Sequence, residues 1–239
     1  MALLGQAALA MWWDIAPEVM PEFAHWHAHE HFPERLSIPG FHRASRWTAC
    51  NGGDGIFVMY ELRDHEVLAS PSYLERLNTP SDWSVRMMPL HLRMVRSQCF
   101  VQASRGGLTA RFALTVRLSP EAGRGAGLLE ELNRLADRLV TTAGCTGFHV
   151  LRHEAPAISV TEEQRIRGLK DRYADWIVVL TGYDAAAVRA MSTGSLADEC
   201  LIGWGARATI ERAVYTLAFS ATPDDMIDVD PATAGASAK

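Results

Sequence analysis

Phe23-Ala-His-Trp-His-Ala-His-Glu-His-Phe-Pro-Glu-Arg-Leu-Ser-Ile-Pro-Gly-Phe41 places four histidines at alternate positions, His25, His27, His29 and His31. With a period of two they form a single imidazole face on a strand; with a helical period they divide between two faces of a helix. The flanking residues favour the helix. Ala16-Pro17-Glu18 puts a proline and an acid where a first helical turn tolerates a missing N–H and gains from negative charge. Val19, Met20, Phe23 and Trp26 recur at helical spacing. Pro33 biases Phe32 away from helix, and Ile38-Pro39-Gly40 is a stop, so the predicted helix ends near Phe32.

Working outward, residues 7–15 are apolar without a breaker and read as a first strand, buried on both faces. Residues 41–49 and 56–62 read as strands joined through the turn cluster 51–55, residues 70–77 as a short helix, and residues 90–103 as a fourth strand. The order β-α-β-β-α-β is the split βαβ, or ferredoxin-like, unit. The second half reads the same way: a strand over 108–118, Ser119-Pro120-Glu121, a helix over 127–142, then Gly147-Phe148-His149 echoing Gly40-Phe41-His42. A third strand over 176–180, a short helix over 184–191 and a fourth strand over 209–220 complete it.

The predicted fold class is therefore α+β, with two tandem ferredoxin-like βαββαβ units, 1–106 and 107–221, packed as an intrachain α+β barrel, and a frayed tail over 222–239. Residues 161–173 have no counterpart in the first unit and read as a solvated surface helix, with a lid as the lesser alternative.

Of 239 residues, 48% are hydrophobic and 21% charged, the net charge is -5 and the pI is about 6.0. This composition lacks the basic footprint of a nucleic-acid or anionic-membrane binder. No apolar run reaches the roughly 20 residues of a membrane helix. Cys50, Cys99, Cys145 and Cys200 are widely spaced and read as buried free thiols. The first ten residues lack the basic region of a signal sequence, so a cytoplasmic protein is expected.

On the helix, His27 and His31 share a face with Phe23, Trp26 and Glu30, and that face should lie on the sheet; His25 and His29 should meet solvent. A buried Glu30 needs a partner, and His42, Arg43, Arg46, Arg93 and Arg96 are candidates. His27-x-x-Glu30-His31 also spells a zinc-hydrolase pattern, but no third ligand is identifiable. His31 reads either as an imidazole hydrogen-bonded at a helix end or as a catalytic group; His27 reads as a core imidazole or as a group that orients His31. Trp83 stands in a turn-rich segment, where a core role explains it poorly, and is a candidate substrate contact with Trp26, Phe23 and Arg43.

Two βαββαβ units in one chain resemble the dimeric α+β barrel superfamily in fused form, over about residues 7–220. Trp26, His31, Pro33, Pro39 and Gly40 resemble the EthD-like branch, with Phe32 a departure where relatives often have a small residue. That resemblance implies a cofactor-independent enzyme with His31 as general acid or base, assisted by Glu30 and His27, acting on a small hydrophobic or aromatic substrate as a lyase, isomerase, cyclase or monooxygenase. It also implies haem as an alternative cofactor and allows a homodimer. A non-enzymatic binding module is the third reading. The helix of the second unit has no histidine, so a site is expected in the first unit alone.

Overall fold

The computed structural model describes residues 3–50 and 55–226. Its strands are β1 (Ala7–Asp14), β2 (Phe41–Ala49), β3 (Ile56–Leu62), β4 (Leu92–Gly106), β5 (Phe112–Leu118), β6 (Cys145–His153), β7 (Trp176–Gly182) and β8 (Glu211–Ala221). The first crossover carries α1 (Met20–Trp26), a π-helical turn (His27–His31) and α2 (Phe32–Leu36). Then come α3 (Pro71–Asn78), α4 (Asp82–Met87), α5 (Gly125–Leu139), α6 (Glu162–Ile166), α7 (Ala185–Thr193) and α8 (Asp198–Trp204).

The first half has the strand order β4-β1-β3-β2, and the second half has the same order, β8-β5-β7-β6. Pairing of β2 with β8 and of β6 with β4 closes an antiparallel eight-stranded barrel. Closure leaves no free sheet edge and explains why β1, with its run of apolar residues, is buried along both faces.

The pleat assigns those faces. Ala8, Ala10 and Trp12 point into the barrel with Trp47, Phe57 and Met59. Phe57 stacks between Trp12 and Trp47 at ring distances of 5.0 Å on each side, so the interior is a packed core. Each such aromatic pair adds about 0.5–1.5 kcal/mol beyond area burial. Leu9, Met11 and Trp13 point outward, beneath the helices. Opposite Leu9 lies Tyr60 of β3, and opposite Met11 lies Arg96 of β4, so the register puts both on the outer, helix-covered face. In the second half the same layer is sealed by Leu128, Leu132, Leu135 and Leu139 of α5 against Leu114, Val116 and Leu118.

Several expectations are corrected. The first helix does not end at Phe32. The π turn directs the Phe32 N–H to the His27 carbonyl, and Pro33 then occupies the first turn of α2, where its missing N–H is tolerated, so helical structure continues to Leu36. Gly40, at φ +100°, then makes the stop; a Cβ there would lie 2.5 Å from Val67 Cγ2. The 161–173 insertion is not a solvated helix, because Glu163 and the Arg167 side chain are buried against the first half. Cys99 and Cys145 are buried free thiols, whereas Cys50 and Cys200 are half-buried. The β2–β3 hairpin forms, but residues 51–54 of its turn lie outside the described residues, as does the tail from 227 onward. Residues 222–226 form a capped 3₁₀ turn rather than a frayed end. Among the described residues no helix is long and apolar enough to cross a membrane.

Candidate active site

The π turn sets the histidines apart. His27 is 1% exposed and His31 7%, while His25 and His29 face solvent, as expected. The His27 ring packs on Phe32 at 4.3 Å and on Phe23 at 5.1 Å; the His31 ring lies 4.6 Å from Trp26 and 5.3 Å from His27. His25 and His29 form a separate outer pair at 4.5 Å, bordered by Trp83. π turns of this kind recur at functional sites because they shift side chains out of the regular α register.

His27 and His31 open on a cavity of about 30 Å³ between the helices and the outer face of the first-half sheet. Its floor is Leu9, Met11, Trp13, Tyr60, Met94 and Arg96, and its walls include Tyr73, Met88, His91 and Arg35. Glu163 and Arg167 of the insertion close it. Arg35, 2% exposed, bonds through Nη2 to Glu163 Oε1, and its Nη1 is 3.7 Å from Glu34 Oε2. Arg167 lies 3.5 Å from Glu163 and 2.8 Å from Asp171. Arg96 Nη2 donates to the Tyr73 hydroxyl at 2.7 Å.

Two guanidinium groups, Arg35 and Arg167, thus meet Glu34, Glu163 and Asp171, a balance that buried charges require, while Arg96 meets the Tyr73 hydroxyl. The imidazoles are left uncharged. Burial, reinforced by Arg46, His91 and Arg35 around His27 and by Arg35, His27, His91 and Arg167 around His31, holds both well below the ordinary histidine value. Burial and then Arg167 lower His91 to about 3. Burial raises the Tyr60 phenol and keeps it protonated. For Arg35 burial opposes the charge, and Glu163 and Glu34 outweigh it, so the cation is secure.

Several polar atoms here have no hydrogen-bond partner although they are buried: Nδ1 of His27 and His31, both ring nitrogens of His91, and the Tyr60 hydroxyl. The nearest acid to His31 Nδ1, Glu34 Oε2 at 3.9 Å, is beyond bonding distance. Buried groups such as these have their bonding completed by a ligand or by water.

Of the sequence-predicted site residues, the structure brings His27 and His31 to the cavity, with Phe23 and Trp26 packed behind their rings. Glu30 points elsewhere. Its partners are the Trp26 indole at 3.0 Å and the Ser81 and Ser84 hydroxyls, so the expected His or Arg partner is corrected: the carboxylate ties the π turn to α4. Trp83 lies over the outer surface, donating to Glu22 at 3.3 Å, and Arg43, near the start of β2, bonds to Glu61 and Thr109; neither lines the cavity. Sequence reasoning missed Arg35, Tyr60, Tyr73, His91, Glu163 and Arg167 as site residues. A signal existed for two of them, because Thr161-x-x-Gln164 forms a capping box that starts a helix carrying Glu163 and Arg167 at a spacing of four.

The donor set does not make a metal centre; among the described residues no three His, Cys, Asp or Glu side chains converge to hold an ion, and Glu30 is directed away from His27 and His31. In its closed form the cavity holds about 30 Å³, room for one or two waters, where small-molecule sites run to roughly 300–1,000 Å³, so a haem, like an aromatic substrate, would enter only with displacement of the groups around it.

No family model matches the chain, and no curated protein matches it. Solved structures do. An anthrone oxidase-like protein aligns with a TM-score of 0.62 at 11% identity, over 92% of this chain and 94% of that one. A provisionally named monooxygenase from Fusobacterium nucleatum subsp. nucleatum aligns at 0.60 and 6% identity, over 92% and 96%. Another from Lactobacillus acidophilus NCFM aligns at 0.57 and 8%, over 92% and 97%. At such identities the likeness is one of fold: this chain shares with these proteins the ferredoxin-like α+β architecture closed into an eight-stranded barrel.

Proposed function

We propose that this chain is a cofactor-independent enzyme in which His31 acts as general base on an aromatic or otherwise apolar substrate bearing an acidic C–H or O–H bond, in a monooxygenase-type reaction. The observation that carries it is a buried cavity with uncharged, unpartnered imidazoles set against a guanidinium frame. A neutral imidazole can accept a proton, and the anion left behind is stabilised by the Arg35 and Arg96 guanidinium groups that line the same cavity, Arg96 being held in place by the Tyr73 hydroxyl. Dioxygen, as co-substrate, then takes the electrons: a methylene becomes a carbonyl, and its two hydrogens leave with one oxygen atom as water. The choice of His31 over His27 rests on the EthD-like pattern of Trp26, His31, Pro33, Pro39 and Gly40 and on the position of His31 beside Arg35. The fold neighbours' names, anthrone oxidase-like and monooxygenase, support this reaction type over a lyase or isomerase.

The test is oxygen uptake with anthrone and smaller acidic aromatics, followed by quinone absorbance. His31→Ala is expected to lower turnover by about 10²–10⁴-fold with little change in thermal stability, because the orphaned Nδ1 is removed along with the ring. Turnover retained in a destabilised His31→Ala protein refutes the assignment.

A further inference from the structure

The group that closes the cavity is a carboxylate, and it comes from the insertion between β6 and β7. Glu163 reaches from α6 to a position between two guanidinium groups, bonding Arg35 Nη2 through Oε1 and lying 3.5 Å from Arg167 through Oε2. Arg35 is almost fully enclosed, and a cation there cannot stand without a counter-charge. Around the same space, His31 Nδ1 and the Tyr60 hydroxyl are buried with no partner. The fold therefore holds an anion position occupied by its own side chain, beside polar atoms which that side chain leaves unsatisfied.

The insertion is fastened mainly by polar contacts. At one end the Glu162 N–H donates to Asn78 Oδ1 at 3.1 Å; at the other, Arg172 exchanges backbone bonds with Arg96 (2.7 Å) and Met94 (3.0 Å) of β4. Between them Gly168 and Leu169 have positive φ, 78° and 57°, and the Leu169 side chain is exposed. Across this strap runs a groove of about 270 Å³, lined in part by Gln164, Asp171 and Arg172. Arg96 lines both the groove and the cavity, so the strap and the Arg96–Tyr73 bond are the partition between them.

We propose that the cavity is the anion-binding end of a larger site for an oxyanion carried on an aromatic or apolar body, held by Arg35 and Arg167, and that Glu163 is a built-in placeholder withdrawn with the 161–173 strap when the substrate enters. This rests on the reading above of the cavity as the site of an enzyme for an apolar substrate. The exchange conserves charge: the guanidinium groups keep a counterion throughout, and the Glu163 carboxylate moves to water, where solvation stabilises it. Withdrawal of the strap also joins groove and cavity, making room that the closed form lacks.

Binding of 2-naphthoate and its uncharged counterpart 2-naphthamide tests this by titration calorimetry, without reference to turnover. Glu163→Gln is expected to tighten naphthoate by about tenfold or more while leaving naphthamide within about twofold, and adding Arg167→Gln should cancel the gain. In the unaltered protein, naphthoate should speed amide exchange across residues 161–173. An unchanged or weaker naphthoate affinity in Glu163→Gln, or an equal gain for naphthamide, overturns the proposal. If Glu163→Gln fails to fold, the exchange measurement on the unaltered protein decides alone. His31→Ala separates the two ideas: naphthoate binding preserved while turnover also survives refutes only the base assignment, and turnover abolished while Glu163→Gln leaves naphthoate binding unmoved refutes only the placeholder.

Discussion

His27, His31 and the ring nitrogens of His91 are buried without compensating acids at bonding distance, and the consequence is a definite pH dependence. The unfolded chain takes up protons near the ordinary histidine value of about 6.5, whereas the folded chain resists until more acid pH, about 3 for His91. Stability is therefore fully present above the unfolded value and falls as pH drops below it, by up to roughly 1.4 kcal/mol per pH unit for each histidine. Melting temperatures recorded from about pH 7.5 down to 5 should decline, and His91→Leu should flatten the slope. Glu30 makes the contrasting case. Its bonds to Trp26, Ser81 and Ser84 are structural, so Glu30→Ala should cost about 1–3 kcal/mol in denaturant unfolding and leave turnover per folded molecule unchanged. At this scale the alternating histidines were legible as two faces of one helix because periodicity is local. Glu30 was misplaced because its position in the helix allows it to swing toward α4, and the serines that receive it are 51 and 54 residues away.

The π turn is the element on which the site depends. It carries one more residue per turn than an α-helix, and it sets the register between Phe23 and Trp26 on one side and His31 and Arg35 on the other. Deletion of Ala28 should restore a regular α ladder and rotate the downstream residues by about 100° relative to the upstream ones. Far-UV circular dichroism should keep its helical signal while turnover and naphthoate binding are both lost. Nothing local announces this turn in the sequence, since intrinsic propensities do not separate α from π; the packing of Phe23, His27 and Phe32 beneath the turn selects it. The strap was read as solvated for a similar reason. Its charges are typical of a surface helix, and only the distant Arg35 makes burial of Glu163 favourable.

The barrel interior belongs to both halves at once. Trp12, Phe57 and Trp47 from the first half pack with Ile177, Val179 and Tyr215 from the second, so neither half can shed the other without exposing this core. Calorimetric unfolding should show one cooperative transition, and Phe57→Ala should lower stability by about 3–5 kcal/mol while leaving the charged groups of the cavity in place. Two peaks, with Phe57→Ala moving only one of them, is the contrary result. The α+β class and the order of the eight strands with the main helices between them were determined by the sequence alone, because hydrophobic period, breakers and turn residues act over a few neighbours. The tertiary structure alone decided which sheet face bears the site and which charges meet there. Strand register sets Tyr60 and Arg96 under the helices, and ring closure brings Glu163 and Arg167 from the second half over His31. Such pairings join residues more than a hundred positions apart, where the free energy of burying charge rather than any local preference selects the partner.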